Sequence, residues 1–106
     1  KDYLIKQSSS LTPLVDKWSK TMDLKYKDLK YKMLKSRWGS CDKNQGLVFN
    51  ALLLNLDSDL QNYVIVHELA HIRHMNHSKD FWEEVAKYIP EYKGLRKRLN
   101  KQSVNW

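Results

Sequence analysis

The segment that most restricts how this chain can fold is His67-Glu68-Leu69-Ala70-His71, set in an apolar run that begins near Leu60. On a helix, His67 and His71 stand one turn apart on one face, so both imidazoles reach a single ion. Glu68 lies about 60° round the helix from His71 and one turn before it, where its carboxylate flanks that ion without binding it. This is the arrangement of a zinc site that activates water. Between Tyr63 and Ile72 apolar residues occur all round the helix, and the polar exceptions are the motif's own residues, so the helix is expected to be buried. Titratable groups in a buried helix are costly unless partnered, and zinc is the partner that accounts for these.

Two ligands on one straight helix cannot surround an ion, so a third must come from chain that has left it. Asn76 reads as a helix stop. Ser78 reads as the cap of a second helix, whose core side carries Phe81, Trp82, Val85, Ala86 and Ile89. His77 falls in the elbow between the two helices and is the expected third ligand. His74 competes, but it shares the azimuth of His67 and would leave all three ligands on one side; its other reading is a half-exposed histidine at a helix C-terminus. Cys41 as a fourth ligand would close the site and make it structural, which leaves Glu68 without a purpose. The expectation is one zinc ion per chain, held by His67, His71 and His77.

Elsewhere the patterns are plainer. Tyr3-Leu4-Ile5 reads as a short edge strand and Ser8-Ser9-Ser10 as a hinge. Thr12 with Pro13 opens a helix whose Leu14, Val15, Trp18 and Met22 share one face. From Leu24, lysine alternates with tyrosine or leucine, which predicts a strand ending near Trp38. The turn-rich stretch Gly39 to Gly46 then joins it, as a hairpin, to a strand over Leu47 to Leu52. Ser58 with Gln61 predicts a capping box for the motif helix, and Pro90 separates the following helix from a last basic one over Glu91 to Leu99.

Composition bears mainly on partners. A chain of 106 residues is expected to form one domain, residues 1–106, with about 100–106 as a flexible or cleft-masking tail. The formal charge of +7 attracts polyanions, and the lysines concentrate between Lys25 and Arg37. Lysine on a strand also keeps sheet edges from pairing with strangers, and this solvated-face reading is preferred to a nucleic-acid surface. No apolar run reaches the roughly 20 residues of a membrane helix, so no membrane partner is expected. Cys41 is the only cysteine, which fits a reducing, cytoplasmic compartment.

Several spaced motifs agree in one further respect. Trp38-Gly39-Ser40-Cys41, Asn50 with its leucine-rich continuation, Tyr63 to His71, and Asn76-His77-Ser78 with Phe81-Trp82 together resemble the YgjP-like metallopeptidase domain. The chain is also similar to the SprT-like proteins and minigluzincins, all very small zincins. The resemblance implies an α+β zincin-like domain: a small antiparallel sheet packed on the HExxH helix, with flanking helices. It implies His67, His71 and His77 as zinc ligands and Glu68 as general base and acid in hydrolysis of a peptide or protein substrate. Should His77 fail as third ligand, the gluzincin pattern offers Glu83, Glu84 or Glu91. Tyr63, Tyr88 and Tyr92 are candidates to donate a hydrogen bond in the transition state. Two alternatives keep the metal: a zinc-dependent nucleotide pyrophosphatase, and a non-catalytic basic nucleic-acid-binding module with structural zinc. Minigluzincins are also known for latency through their C-terminal segments, which makes Val104-Asn105-Trp106 a candidate mask, acting within one molecule or swapped in a dimer of otherwise monomeric chains.

Overall fold

A helix forms round the HExxH motif, and the rest of the chain is arranged on it. The computed structural model describes residues 2–101. In order come helix α1 (Asp2–Ser8), a 3-10 turn (Ser9–Leu11), helix α2 (Thr12–Met22), and strands β1 (Asp28–Lys32), β2 (Gly39–Cys41) and β3 (Gly46–Asn50). A second 3-10 turn (Ala51–Asn55) leads to helices α3 (Ser58–Arg73), α4 (Lys79–Tyr88) and α5 (Tyr92–Asn100). Every residue of α3 from Tyr63 to His71 is buried, as its all-round apolar pattern requires. Helices α2, α4 and α5 and strand β2 all pack against it. The proposed mask, Val104 to Trp106, lies outside the described residues. Among those residues no helix is long and apolar enough to cross a membrane.

The α+β class agrees with the sequence, but the sheet is mixed where an antiparallel one was expected. Its order is β1-β3-β2, with β1 parallel to β3 and β2 antiparallel to it. Residues 33–38, expected to continue the first strand, carry the chain past the position of β3. Gly39–Cys41, expected as loop, is itself a strand, and the hairpin is β2–β3. Its turn is held by Asp42, whose carboxylate accepts from the backbone N–H groups of Asn44 (2.8 Å) and Gly46 (2.9 Å). A Cβ on Gly46 would lie 2.7 Å from that carboxylate and displace it from the turn. In β1, Leu29 and Tyr31 are half-buried while Asp28, Lys30 and Lys32 point to solvent, an edge strand guarded by lysine.

Three smaller expectations also change. Tyr3-Leu4-Ile5 is helical, within α1, which packs on the Ala51–Asn55 turn. Thr12 lies inside α2 and does not cap it; its hydroxyl meets the Tyr31 hydroxyl at 2.8 Å and ties that helix to β1. The capping box does not form. Asp57 precedes α3 without a side-chain cap, and the Gln61 amide instead donates to the carbonyls of Leu53 and Leu54 at the end of the preceding turn.

Asn50 organises the approach to the site. Fully buried, its amide donates to the carbonyls of Leu34 and Arg37, both at 3.0 Å, and its oxygen accepts from the Leu52 N–H. Asn50→Ala leaves these groups without a partner and should lower unfolding free energy in urea by about 2 to 4 kcal/mol. A change below about 0.5 kcal/mol would show that residues 33–38 do not depend on it.

Candidate active site

The end of α3 and the start of α4 build the site between them. Helix α3 stops at Arg73 and the chain turns through His74 to His77. Ser78 then caps α4, its hydroxyl accepting from the Phe81 N–H at 3.4 Å, as expected. This sets Phe81 and Trp82 directly behind the elbow. His71 stacks on Phe81, with ring centres 4.4 Å apart, and His77 stacks on Trp82 at 5.7 Å. Phe81 also meets His67 and His77 edge-on, each at 5.0 Å.

The three expected histidines come together as a result. His77 Nε2 lies 3.1 Å from His71 Nε2 and 3.2 Å from His67 Nε2. A tetrahedral ion about 2.0 to 2.1 Å from each nitrogen sets nitrogen–nitrogen edges of about 3.3 Å, so the cluster fits a metal with little adjustment. Among the described residues this is the group of His, Cys, Asp and Glu side chains able to hold one. Two of the opposite ring nitrogens are engaged. His71 Nδ1 is 3.0 Å from the His74 carbonyl, which can only accept, so the proton sits on Nδ1 and the Nε2 lone pair is free for a metal. The Tyr63 hydroxyl approaches His67 Nδ1 at 3.4 Å.

Glu68, 2% exposed, sits against β2 in the same cavity, which encloses about 410 Å³ and is also lined by Ser36, Arg37, Ser40, Cys41 and Met75. A Cβ on Gly39 would come within 3.0 Å of the Glu68 side chain and 3.1 Å of the Val48 carbonyl. Gly39 thus lets the carboxyl and the sheet share one space. Burial pushes the Glu68 carboxyl up to about 8, against the opposing pull of Arg37. Burial also holds His67 and His71 below the ordinary histidine value, and His77 below it with help from the Arg96 charge. The Cys41 thiol, raised to about 11 by burial and by Glu68 and Asp42, lines the cavity without joining the histidines.

The competing residues lie elsewhere. His74 Nε2 binds Glu84 at 3.0 Å, and the same buried carboxylate takes Arg73 at 2.7 Å. None of Glu83, Glu84 and Glu91 lines the cavity. Nor do the three tyrosines: Tyr88 packs on Trp18, Tyr92 stacks on Trp82, and Tyr63 lies against His67. Sequence reading missed Gly39 as part of the site. Trp38-Gly39-Ser40-Cys41 drew notice as a motif, but Gly39 looked like turn residue.

Comparison with known proteins agrees with this geometry. The family model of the YgjP-like metallopeptidase domain matches residues 2–102. The chain belongs to that family. As a YgjP-like domain it is a metallopeptidase, a hydrolase whose class implies a bound metal. Its fold is similar to that of two crystal structures of metallopeptidase zymogens. Pyrococcus abyssi abylysin has a TM-score of 0.80 at 24% identity, covering 90% of this chain and 97% of that one. Methanocaldococcus jannaschii jannalysin has a TM-score of 0.76 at 23% identity, covering 89% and 97%. Comparison with curated protein sequences finds no match.

The buried groups set opposing pH dependences in the metal-free chain. The histidines titrate near 6.5 when unfolded and lower when folded, so acid protonates the unfolded chain first and stability falls below about pH 6.5. Glu68 ionises near 4.5 when unfolded and near 8 when folded, so its effect lowers stability as pH rises between those values. With several histidines against one carboxyl, the melting temperature in chelator should peak between about pH 6 and 7. Glu68→Gln should flatten the alkaline limb. A monotonic profile from pH 5 to 8 would contradict these environments.

Proposed function

We propose that residues 1–106 act as one catalytic unit, a zinc metallopeptidase that hydrolyses peptide bonds with one Zn²⁺ held by His67, His71 and His77. The observation that carries this reading is the convergence of three Nε2 atoms, two of the contacts being 3.1 and 3.2 Å, beside the buried carboxyl of Glu68. Zinc bound there supplies Lewis acidity, which brings a water's pKa toward 7. Its charge also favours ionised Glu68, drawing the carboxyl down from the raised value it has in the metal-free chain. Glu68 then takes the proton of the attacking water and passes it to the leaving amine. Strand β2 is the sheet edge bordering the cavity, and a substrate laid along it in extended form pairs its backbone as an added strand. Family membership supports peptide over phosphoanhydride chemistry. A nucleic-acid partner is not favoured, since the strand lysines Lys30 and Lys32 lie on β1, at the sheet edge away from the cavity. Cytoplasmic residence, suggested by the lone Cys41, belongs to the same reading.

Two variants test the chemistry. Glu68→Gln should keep stoichiometric zinc and lose about 10²- to 10⁴-fold in turnover of denatured casein. His77→Ala should weaken zinc affinity by more than about 100-fold, measured by competition with a chelator. Hydrolysis of nucleoside triphosphates but not casein, abolished by Glu68→Gln, would overturn the substrate class, and unchanged zinc affinity in His77→Ala would remove it from the ligand set.

Latency is the second part of the reading, since abylysin and jannalysin were both solved as zymogens. The segment Val104-Asn105-Trp106, as a substrate mimic over the cleft, would hold the protein inactive. Burying one tryptophan contributes up to about 4 to 6 kcal/mol, and ordering five residues costs about 5 to 10 kcal/mol, so the mask opens readily. Truncation after Asn100 should therefore raise the rate on a small peptide. Equal rates for the full and shortened chains across a range of concentrations, which would also expose a swapped dimer, would rule the mask out.

A further inference from the structure

A second cavity, of about 380 Å³, is lined by Trp82, Tyr92, Lys93, Arg96, Lys97 and Asn100. Trp82 joins it to the histidine cluster, because the indole that forms its wall also stacks on His77. Lys93, Arg96 and Lys97 fall at i, i+3 and i+4 on α5, so three cations share one helix face. No carboxylate lines the cavity, and among the described residues none of the three cations is ion-paired. Arg98 on the same helix shows the contrast, since it binds Asp59 at 2.6 Å and Asp57 at 3.1 Å. Arg96 is held in place. Its guanidinium lies 5.0 Å from the Trp82 ring centre, a contact that fixes the side chain and leaves its N–H fork available. Arg96 and His77 both contact the Trp82 ring, so an anion bound to Arg96 lies beside the histidine cluster.

We propose that this cavity is a substrate subsite that binds a carboxylate of the peptide being cut, with Arg96 as its principal ligand. It rests on the metallopeptidase reading of the histidine site and names a substrate class for it: peptides with an acidic side chain, or a free C-terminus, beside the scissile bond. An unpaired guanidinium recognises a planar carboxylate through two parallel hydrogen bonds, and flanking lysines add attraction without geometry. A nucleic-acid base is the weaker candidate. The Trp82 ring already engages His77, Tyr92 and Arg96, which makes charge and not a free aromatic face the recognition element.

The test measures binding apart from turnover. Zinc-loaded full-length Glu68→Gln is titrated calorimetrically with paired peptides that differ as internal Glu against Gln, or as free against amidated C-terminus. The carboxylate member of one pair should bind about three- to tenfold more tightly, and the pair that responds identifies the source of the carboxylate. Adding Arg96→Gln should collapse that difference, and Arg96→Lys should restore part of it. With the unmodified active site, the preference should appear in KM for the carboxylate peptides. Equal affinity within both pairs, a preference that survives Arg96→Gln, or an Arg96-dependent affinity for single-stranded oligonucleotide exceeding that for every peptide would overturn the proposal. Arg96-dependent carboxylate binding with no cleavage of any peptide by the zinc-loaded chain would sink the peptidase reading and leave the subsite standing.

Discussion

The structure depends on burying His67, Glu68 and His71 within little more than one turn of α3. An isolated charge in such a place is unaffordable, so the metal-free chain favours neutral imidazoles and a protonated carboxyl. Those preferences have different consequences for chemistry. A neutral imidazole is already the form that binds a metal, whereas a protonated Glu68 is the wrong form for a general base. A divalent cation held beside it would reverse the second preference and leave the first intact, so on the proposed reading metal binding would also ready Glu68 as base.

Around this turn, each neighbouring element restricts one ring or one carboxyl. Helix α4 contributes Phe81 and Trp82 as flat surfaces against which His71 and His77 rest, and its Ser78 cap sets where those surfaces begin. The His74 carbonyl selects the tautomer of His71, while the His74 ring turns away to Glu84. From the other side β2 approaches closely enough to touch Glu68, which only a residue without a side chain at position 39 permits. Asn50 holds the loop that leads into β2 by the carbonyls of Leu34 and Arg37. The geometry of the candidate site is therefore distributed over three elements, although its three histidines and Glu68 fall within eleven consecutive residues, from His67 to His77.

Much of the site was legible in the sequence because its determinants are local. Spacing of four between His67 and His71, an all-round apolar helix, and a serine cap immediately after His77 depend on helical geometry alone. What could not be read was pairing across distance. Alternating lysine with tyrosine and leucine marks the stretch from Leu24 to Trp38 as strand, of which only Asp28–Lys32 forms one, and says nothing of whether the partner runs parallel; a hairpin is merely the shortest connection. Gly39 looks like a turn residue until the strand it belongs to is seen pressed on Glu68. Gln61 and Thr12 likewise have near-neighbour uses that other partners, the carbonyls of Leu53 and Leu54 and the hydroxyl of Tyr31, outcompete.

By itself, then, the sequence determined the HExxH helix, the elbow that follows it and the chemistry its side chains can support, since these follow from residue type at short, periodic spacing. Only the tertiary structure decided the mixed order of the sheet, the approach of β2 to Glu68, and the meeting of Trp82, Tyr92 and Arg96 beside the histidines. The physical reason is the range of the forces concerned. Helical periodicity and capping act over a turn or so of chain, but burial and close contact join residues far apart in sequence once the hydrophobic core has closed round α3.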